Sequence, residues 1–225
     1  MIDVALARRR MRALFRHDRR GRLVAINEWS AGTPPRLLLM RTGAGALAGI
    51  HYDTPDDVAA SLAALARSEP PALTEIPAFS DRYLEALGAT TFRAGPAFVF
   101  PTTLPAEAEV IEVGAGNADL LSGGLESWRP DVGRRGPFLA IVEAGRAVAL
   151  CASVRITRHV HCAGVETAAD CRGRGLASRV VAAWAVRVRA LGAVPFYSTS
   201  WDNLGSRGVA RRLDLEQVAV DFAID

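Results

Sequence analysis

The chain of 225 residues contains no lysine; every one of its 27 basic residues is an arginine. Set against 24 acidic residues, this leaves a net charge of only +3. So small an excess gives no reason to read the whole chain as a polyanion-binding protein. Cysteine is scarce too. Cys151, Cys162 and Cys171 are an odd number without paired spacing. That excludes a disulfide framework and predicts reduced thiols. No run reaches the roughly eighteen uncharged apolar residues of a membrane span. The first residues are arginine-rich but lack the apolar stretch of a signal peptide. These absences predict a soluble, cytoplasmic protein. Half of the residues are hydrophobic, enough to build a core without staples.

The arginines gather at the start: Arg8, Arg9, Arg10, Arg12, Arg16, Arg19, Arg20 and Arg22. Phe15 is the lone Phe, Tyr or Trp among them, which gives no interleaved pattern for base stacking. We read them as a solvated helix face over 2–16, with no nucleic-acid or membrane partner. Extended runs are expected at 22–29, 36–41 and 46–52. Thr54-Pro55-Asp56-Asp57 opens a helix to about Arg67, because Pro suits a first turn and acids favour its positive end. A prolyl linker over 68–80, a short helix over 81–87 and an apolar segment over 95–101 follow. Residues 102–107 form the expected boundary between a module over 1–105 and a domain over 106–225.

Beyond Val110 the pattern tightens. Phe138–Glu143, the turn Ala144-Gly145 and Arg146–Val154 read as a β-hairpin. Val160–Thr167 reads as a strand. In the run from Gly175 to Leu191, residues Leu176, Val180, Trp184, Val188 and Leu191 recur at helical spacing. Gly192 supplies its stop. Val194–Ser200 reads as a strand, Asn203–Leu213 as a helix and Leu215–Ile224 as a final strand. Two-residue turns give antiparallel pairs and strand–helix–strand units give parallel ones, so the sheet is mixed.

Two glycine-containing turns compete for a nucleotide. Glu112-Val113-Gly114-Ala115-Gly116-Asn117-Ala118 is like a methyltransferase loop, but its third glycine is Ala118. Ser122-Gly123-Gly124 also interrupts any helix after it, so it reads as a strand and a turn. The other is Arg172-Gly173-Arg174-Gly175-Leu176-Ala177, between a strand and a helix. There the unpaired N–H groups of a helix start meet glycines that let a ligand approach closely, a combination suited to a diphosphate.

This second turn, with Val165-Glu166-Thr167 before it and Trp201-Asp202-Asn203, Ser206 and Ala210 after it, resembles the GNAT superfamily of acyl-CoA-dependent N-acyltransferases over about residues 137–225. The resemblance implies an α/β fold: a mixed, twisted and centrally splayed β-sheet flanked by helices, here preceded by a smaller α/β module, read as a degenerate copy of the same fold. It implies acetyl-CoA as co-substrate. Arg172, Gly173, Arg174, Gly175, Leu176 and Ala177 would hold its diphosphate. Val165, Glu166 and Thr167 would pair with the pantetheine arm, with Asn203 and Ser206 beside it. It implies transfer of acetyl to a primary amine of a small molecule, and admits a homodimer. Lacking lysine, the chain cannot acetylate lysine side chains of its own. Two departures stand out: Ala210 occupies the place where many members carry a tyrosine acid, and Asp214 stands where a glycine is common. For the base, His161 and Glu166 are both candidates; strand alternation puts His159 and His161 on one face and Cys162 and Glu166 on the other. That alternation also argues against a metal site built from His159, His161, Cys162 and Cys171. A CoA-ester sensor without turnover is the alternative, and a methyltransferase the third reading.

Overall fold

A computed structural model describes residues 4–74, 76–105, 109–134 and 136–225. The chain divides into two compact units that do not follow it linearly: the first holds residues 1–98, 198–204 and 217–225, the second residues 99–197 and 205–216. The boundary expected at 102–107 therefore lies just past the first crossing. Residues 106–108 are outside the described residues, and the last strand returns to the first unit.

In the first unit α1 (Val4–Leu14) precedes the short antiparallel pair β1 (Phe15–His17) and β2 (Leu23–Ile26). Then come β3 (Leu37–Thr42), β4 (Gly45–Ile50), α2 (Asp56–Arg67), α3 (Ser80–Leu87) and β5 (Arg93–Val99). Asp56 and Asp57 stand in the first turn of α2, as the sequence predicts, but Pro55 is at the N-cap position, one residue before the turn in which it is expected. β11 (Glu216–Ile224) lies antiparallel to β3, pairing Ala219 with Thr42 through Ile224 with Leu37. Leu37, Leu39, Leu62, Tyr83, Phe222 and Ile224 form one core. The basic start of the chain is not wholly solvated: the Arg10 guanidinium is fully buried against Asp221, at 2.7 and 2.5 Å.

In the second unit β6 (Ile111–Glu112), β7 (Phe138–Glu143), β8 (Arg146–Ile156) and β9 (Val160–Thr167) are successive antiparallel neighbours. Two 3-10 turns, Ala115–Leu120 and Glu126–Asp131, follow β6. After β9 come a 3-10 turn (Ala169–Cys171), α4 (Leu176–Ala190), β10 (Val194–Ser198) and α5 (Leu204–Arg212). β10 runs parallel to β9, so the sheet is mixed, as expected. Leu176, Val180, Trp184 and Val188 are all buried under α4, while Leu191, past its last turn, is exposed. All three cysteines are buried, and none of them forms a disulfide among the described residues. Among the described residues no helix is long and apolar enough to cross a membrane.

The methyltransferase-like loop has a different structure from the one that chemistry requires. β6 is two residues long and pairs antiparallel. The Gly114 N–H donates to Asn117 Oδ1 at 2.7 Å, and the Asn117 amide donates to the Glu112 carbonyl at 3.0 Å. The glycines close a turn on themselves, and no α-helix follows to present its N-terminus to a phosphate.

Candidate active site

β9 and β10 pair over only three positions: Val160 with Val194, His161 with Pro195 and Cys162 with Phe196. Beyond Cys162, β9 continues to Thr167 with β8 alone as its paired neighbour in this unit. The direction of its backbone groups follows from two hydrogen bonds. The Ala168 N–H donates to Val148 of β8, and the His159 carbonyl accepts from Val194 of β10. By strand alternation, Gly164 and Glu166 face β8, whereas Val165 and Thr167 send their N–H and C=O groups to the edge that β10 has left. An extended amide chain could pair there as a strand would. The Thr167 carbonyl already accepts Arg172 Nε at 3.4 Å.

The turn after β9 delivers α4. Gly173 and Gly175 both have φ +78°, a left-handed conformation that a side chain disfavours. Gly175 is the N-cap; no side chain caps the helix, and no acid sits in its first turn. The first N–H groups and the positive helix end are thus left to a ligand. Arg172, Gly173 and Arg174 are exposed, and Gly175 and Ala177 are partly so. Leu176 is buried in the core and offers only its backbone. The Arg212 guanidinium lies over this turn: a methyl group on Gly175 would stand 3.1 Å from its Nη1. Arg174 is engaged elsewhere, in a bidentate pair with Glu143 at 2.9 and 2.8 Å. That pair holds the Glu143 carboxyl below the usual carboxylate range. Arg146 pairs through one nitrogen with Asp170 and lowers the pKa of that carboxyl.

The two candidate bases have opposite surroundings, as strand alternation predicts. His161 is only 6% exposed. Its Nδ1 is 2.9 Å from Ser153 Oγ, which accepts the indole N–H of Trp184 on α4 at 3.0 Å. Burial lowers its pKa. The ring is part of the packing between sheet and helix. Glu166 lies on the other face, partly exposed, and its Oε2 accepts the indole N–H of Trp128 at 2.5 Å. Trp128 is a residue that sequence reasoning passed over. The available signal was Gly164: a glycine inside a strand marks a close approach. A Cβ there would meet Trp128 Cη2 at 2.8 Å.

Ser206 lies on α5 beside the buried hydroxyl of Tyr197, whose pKa is pushed up to about 12, chiefly by burial. Ala210, one turn on, is buried at 2% exposure. Asn203 directly precedes α5 in the chain and belongs to the first unit, whereas Val165–Thr167, Arg172–Ala177 and Ser206 belong to the second. Among the described residues no cluster of His, Cys, Asp and Glu could hold a metal ion.

Parallel strands that part, with an uncapped, glycine-led helix at their mouth, define a class of α/β protein suited to a diphosphate on an extended arm. Residues 131–219, about two fifths of the chain, match the family model described as GNAT acetyltransferase. Among solved structures, a GNAT-family acetyltransferase from Colwellia psychrerythraea is 14% identical, with 80% of this chain and 76% of that chain covered and a TM-score of 0.52. A GCN5-related N-acetyltransferase from Sphaerobacter thermophilus is 16% identical, covering 79% and 70%, with a TM-score of 0.51. A GNAT-family protein from Novosphingobium aromaticivorans is 18% identical at a TM-score of 0.50; 59% of this chain covers 64% of that one. At these identities the similarity shows the fold. No curated relative matches the chain.

Proposed function

We propose that the protein is an N-acyltransferase that moves the acetyl group of acetyl-CoA to a primary amine of a small molecule. The observation that carries this reading is the junction of the parted β9 edge with the uncapped, glycine-led start of α4. The coenzyme diphosphate would lie on the N–H groups of 173–177, with Arg172 and Arg212 adding positive charge. The pantetheine amides would pair with Val165 and Thr167. A backbone N–H at the same edge would polarise the thioester carbonyl. Glu166 is the base of choice. It is partly exposed and lies between Val165 and Thr167 on β9, whereas His161 is buried with its Nδ1 committed to Ser153 in the core. The test has two arms: calorimetric titration with CoA, and thiol release from acetyl-CoA across a panel of amines. Micromolar CoA binding together with turnover of one amine class is expected; no CoA binding by the folded protein overturns the reading.

A second reading, a CoA-ester sensor, is favoured by one observation. Ala210 is a buried methyl where the resemblance expects a tyrosine acid. CoA binding without turnover of any amine would establish it.

A further inference from the structure

Trp128 is tied to Glu166 by geometry that core packing does not require. Indole N–H groups buried in a core need one acceptor, and a carbonyl or hydroxyl suffices, as Ser153 does for Trp184. Trp128 instead reaches across the sheet to a charged, partly exposed carboxylate at 2.5 Å. Its ring also packs at 6.1 Å, edge-on, against Phe138, within an apolar cluster containing Leu121, Leu125 and Leu150. Gly164 clears the path, since any side chain there would strike the indole. The ring is anchored in this way, and through it the carboxylate acquires one orientation.

Resting on the acyltransferase reading, we propose that Trp128 is a positioning residue for the acceptor amine: its indole N–H holds Glu166 Oε2, so that Oε1 meets the ammonium group of the incoming amine. The preferred acceptor is then a cation at neutral pH, an alkylammonium, met by a carboxylate beside an aromatic ring. Oε1 takes one proton from the ammonium nitrogen. The neutral nitrogen forms its bond to the thioester carbonyl carbon, the carbon–sulfur bond breaks, and the departing sulfur takes up the second nitrogen proton. Amide and thiol result, and Glu166 returns its proton to solvent.

The charged side chains of the 126–131 turn and of β8 are Glu126, Arg129, Asp131, Arg146 and Arg155. From the 126–131 turn, Arg129 donates to the carbonyls of Leu121 and Asp119, and Glu126 accepts the Gly124 N–H; Asp131 ends that turn. From β8 come Arg146, paired with Asp170, and Arg155.

The experiment compares Trp128→Phe, which keeps a ring over Gly164 but removes the donor, with Glu166→Gln and the unaltered protein. Removing a donor destabilises the carboxylate, so the ascending limb of kcat/KM should move to higher pH, by about one pH unit for a bond to a charged group. CoA affinity should not change. Independently of turnover, the emission of Trp128, obtained as the difference from Trp128→Phe, should follow a carboxyl titration that vanishes in Glu166→Gln. An unmoved pH limb in Trp128→Phe, or an emission indifferent to Glu166, overturns the proposal. An intact fluorescence titration in a protein that turns over no amine overturns the acyltransferase reading and, with it, the proton acceptor, while leaving the pair itself established.

Discussion

Replacing Gly173 with alanine separates the two consequences of a left-handed glycine at a binding turn. A Cβ at Gly173 would meet nothing within 4 Å, so no clash contributes. What remains is the backbone cost at φ +78°, about 1–2 kcal/mol for a residue with a side chain. In a chain of this size that lowers Tm by roughly 2–8 °C. The new methyl would project where a diphosphate must approach the N–H groups, so the affinity for CoA should fall by about tenfold or more, 1.4 kcal/mol or above. Gly175→Ala carries the same backbone cost, but its methyl would also press on the Arg212 guanidinium at 3.1 Å, a flexible neighbour that can give way. Calorimetric titration with CoA, beside a thermal melt of each variant, measures both quantities. If Gly173→Ala melts lower as calculated yet binds CoA within twofold of the parent, the diphosphate does not lie on this turn, and the assignment of residues 172–177 is wrong.

Three further outcomes are expected. Because burial holds the His161 pKa below its ordinary value, the unfolded chain binds that proton more readily; the neutral ring's contribution is complete above about pH 6.5 and is lost as pH falls below it. The Tm of His161→Gln should therefore fall less steeply than the parent's between pH 7 and 5, and equal slopes would refute the argument. Glu143→Gln frees Arg174 from its bidentate partner; CoA should bind roughly two- to fivefold tighter at low salt, with little change in Tm, since exposed ion pairs contribute little to stability. Ala210→Tyr cannot restore an acid, because position 210 is buried; overpacking should cost about 1–3 kcal/mol in denaturant unfolding, and a variant at once stable and faster would contradict this.

The second unit is largely legible in the sequence because its signals are local. A strand over 160–167, two glycines and a helix with apolar residues four apart are set by spacing alone, and the structure has the strand at Val160–Thr167 and the helix at Leu176–Ala190. What the sequence could not convey depends on long-range contact. Trp128 and Glu166 are 38 residues apart and meet only through the fold. Arg10 looks like one more solvated arginine among its neighbours, until Asp221 arrives from 211 residues away and neutralises it in the core. His161 follows the same logic. Alternation gives its face, but only the placement of Ser153 and Trp184 makes that face an interior.

The return of β11 to the first unit bears on how the polypeptide can be made. β3, emerging early from the ribosome, pairs with a strand synthesised about 180 residues later. Until then its β11-facing edge and the apolar surface meant for Phe222 and Ile224 stay open, a state that invites pairing with other chains. The second unit, assembled from residues 99–197 and 205–216, has nearly all of its sequence before that last strand appears. Order of synthesis thus favours completing the second unit first and sealing the N-terminal unit afterwards. A cut at residue 105 would yield an N-terminal fragment with an unsatisfied edge and a C-terminal fragment trailing an orphan apolar strand.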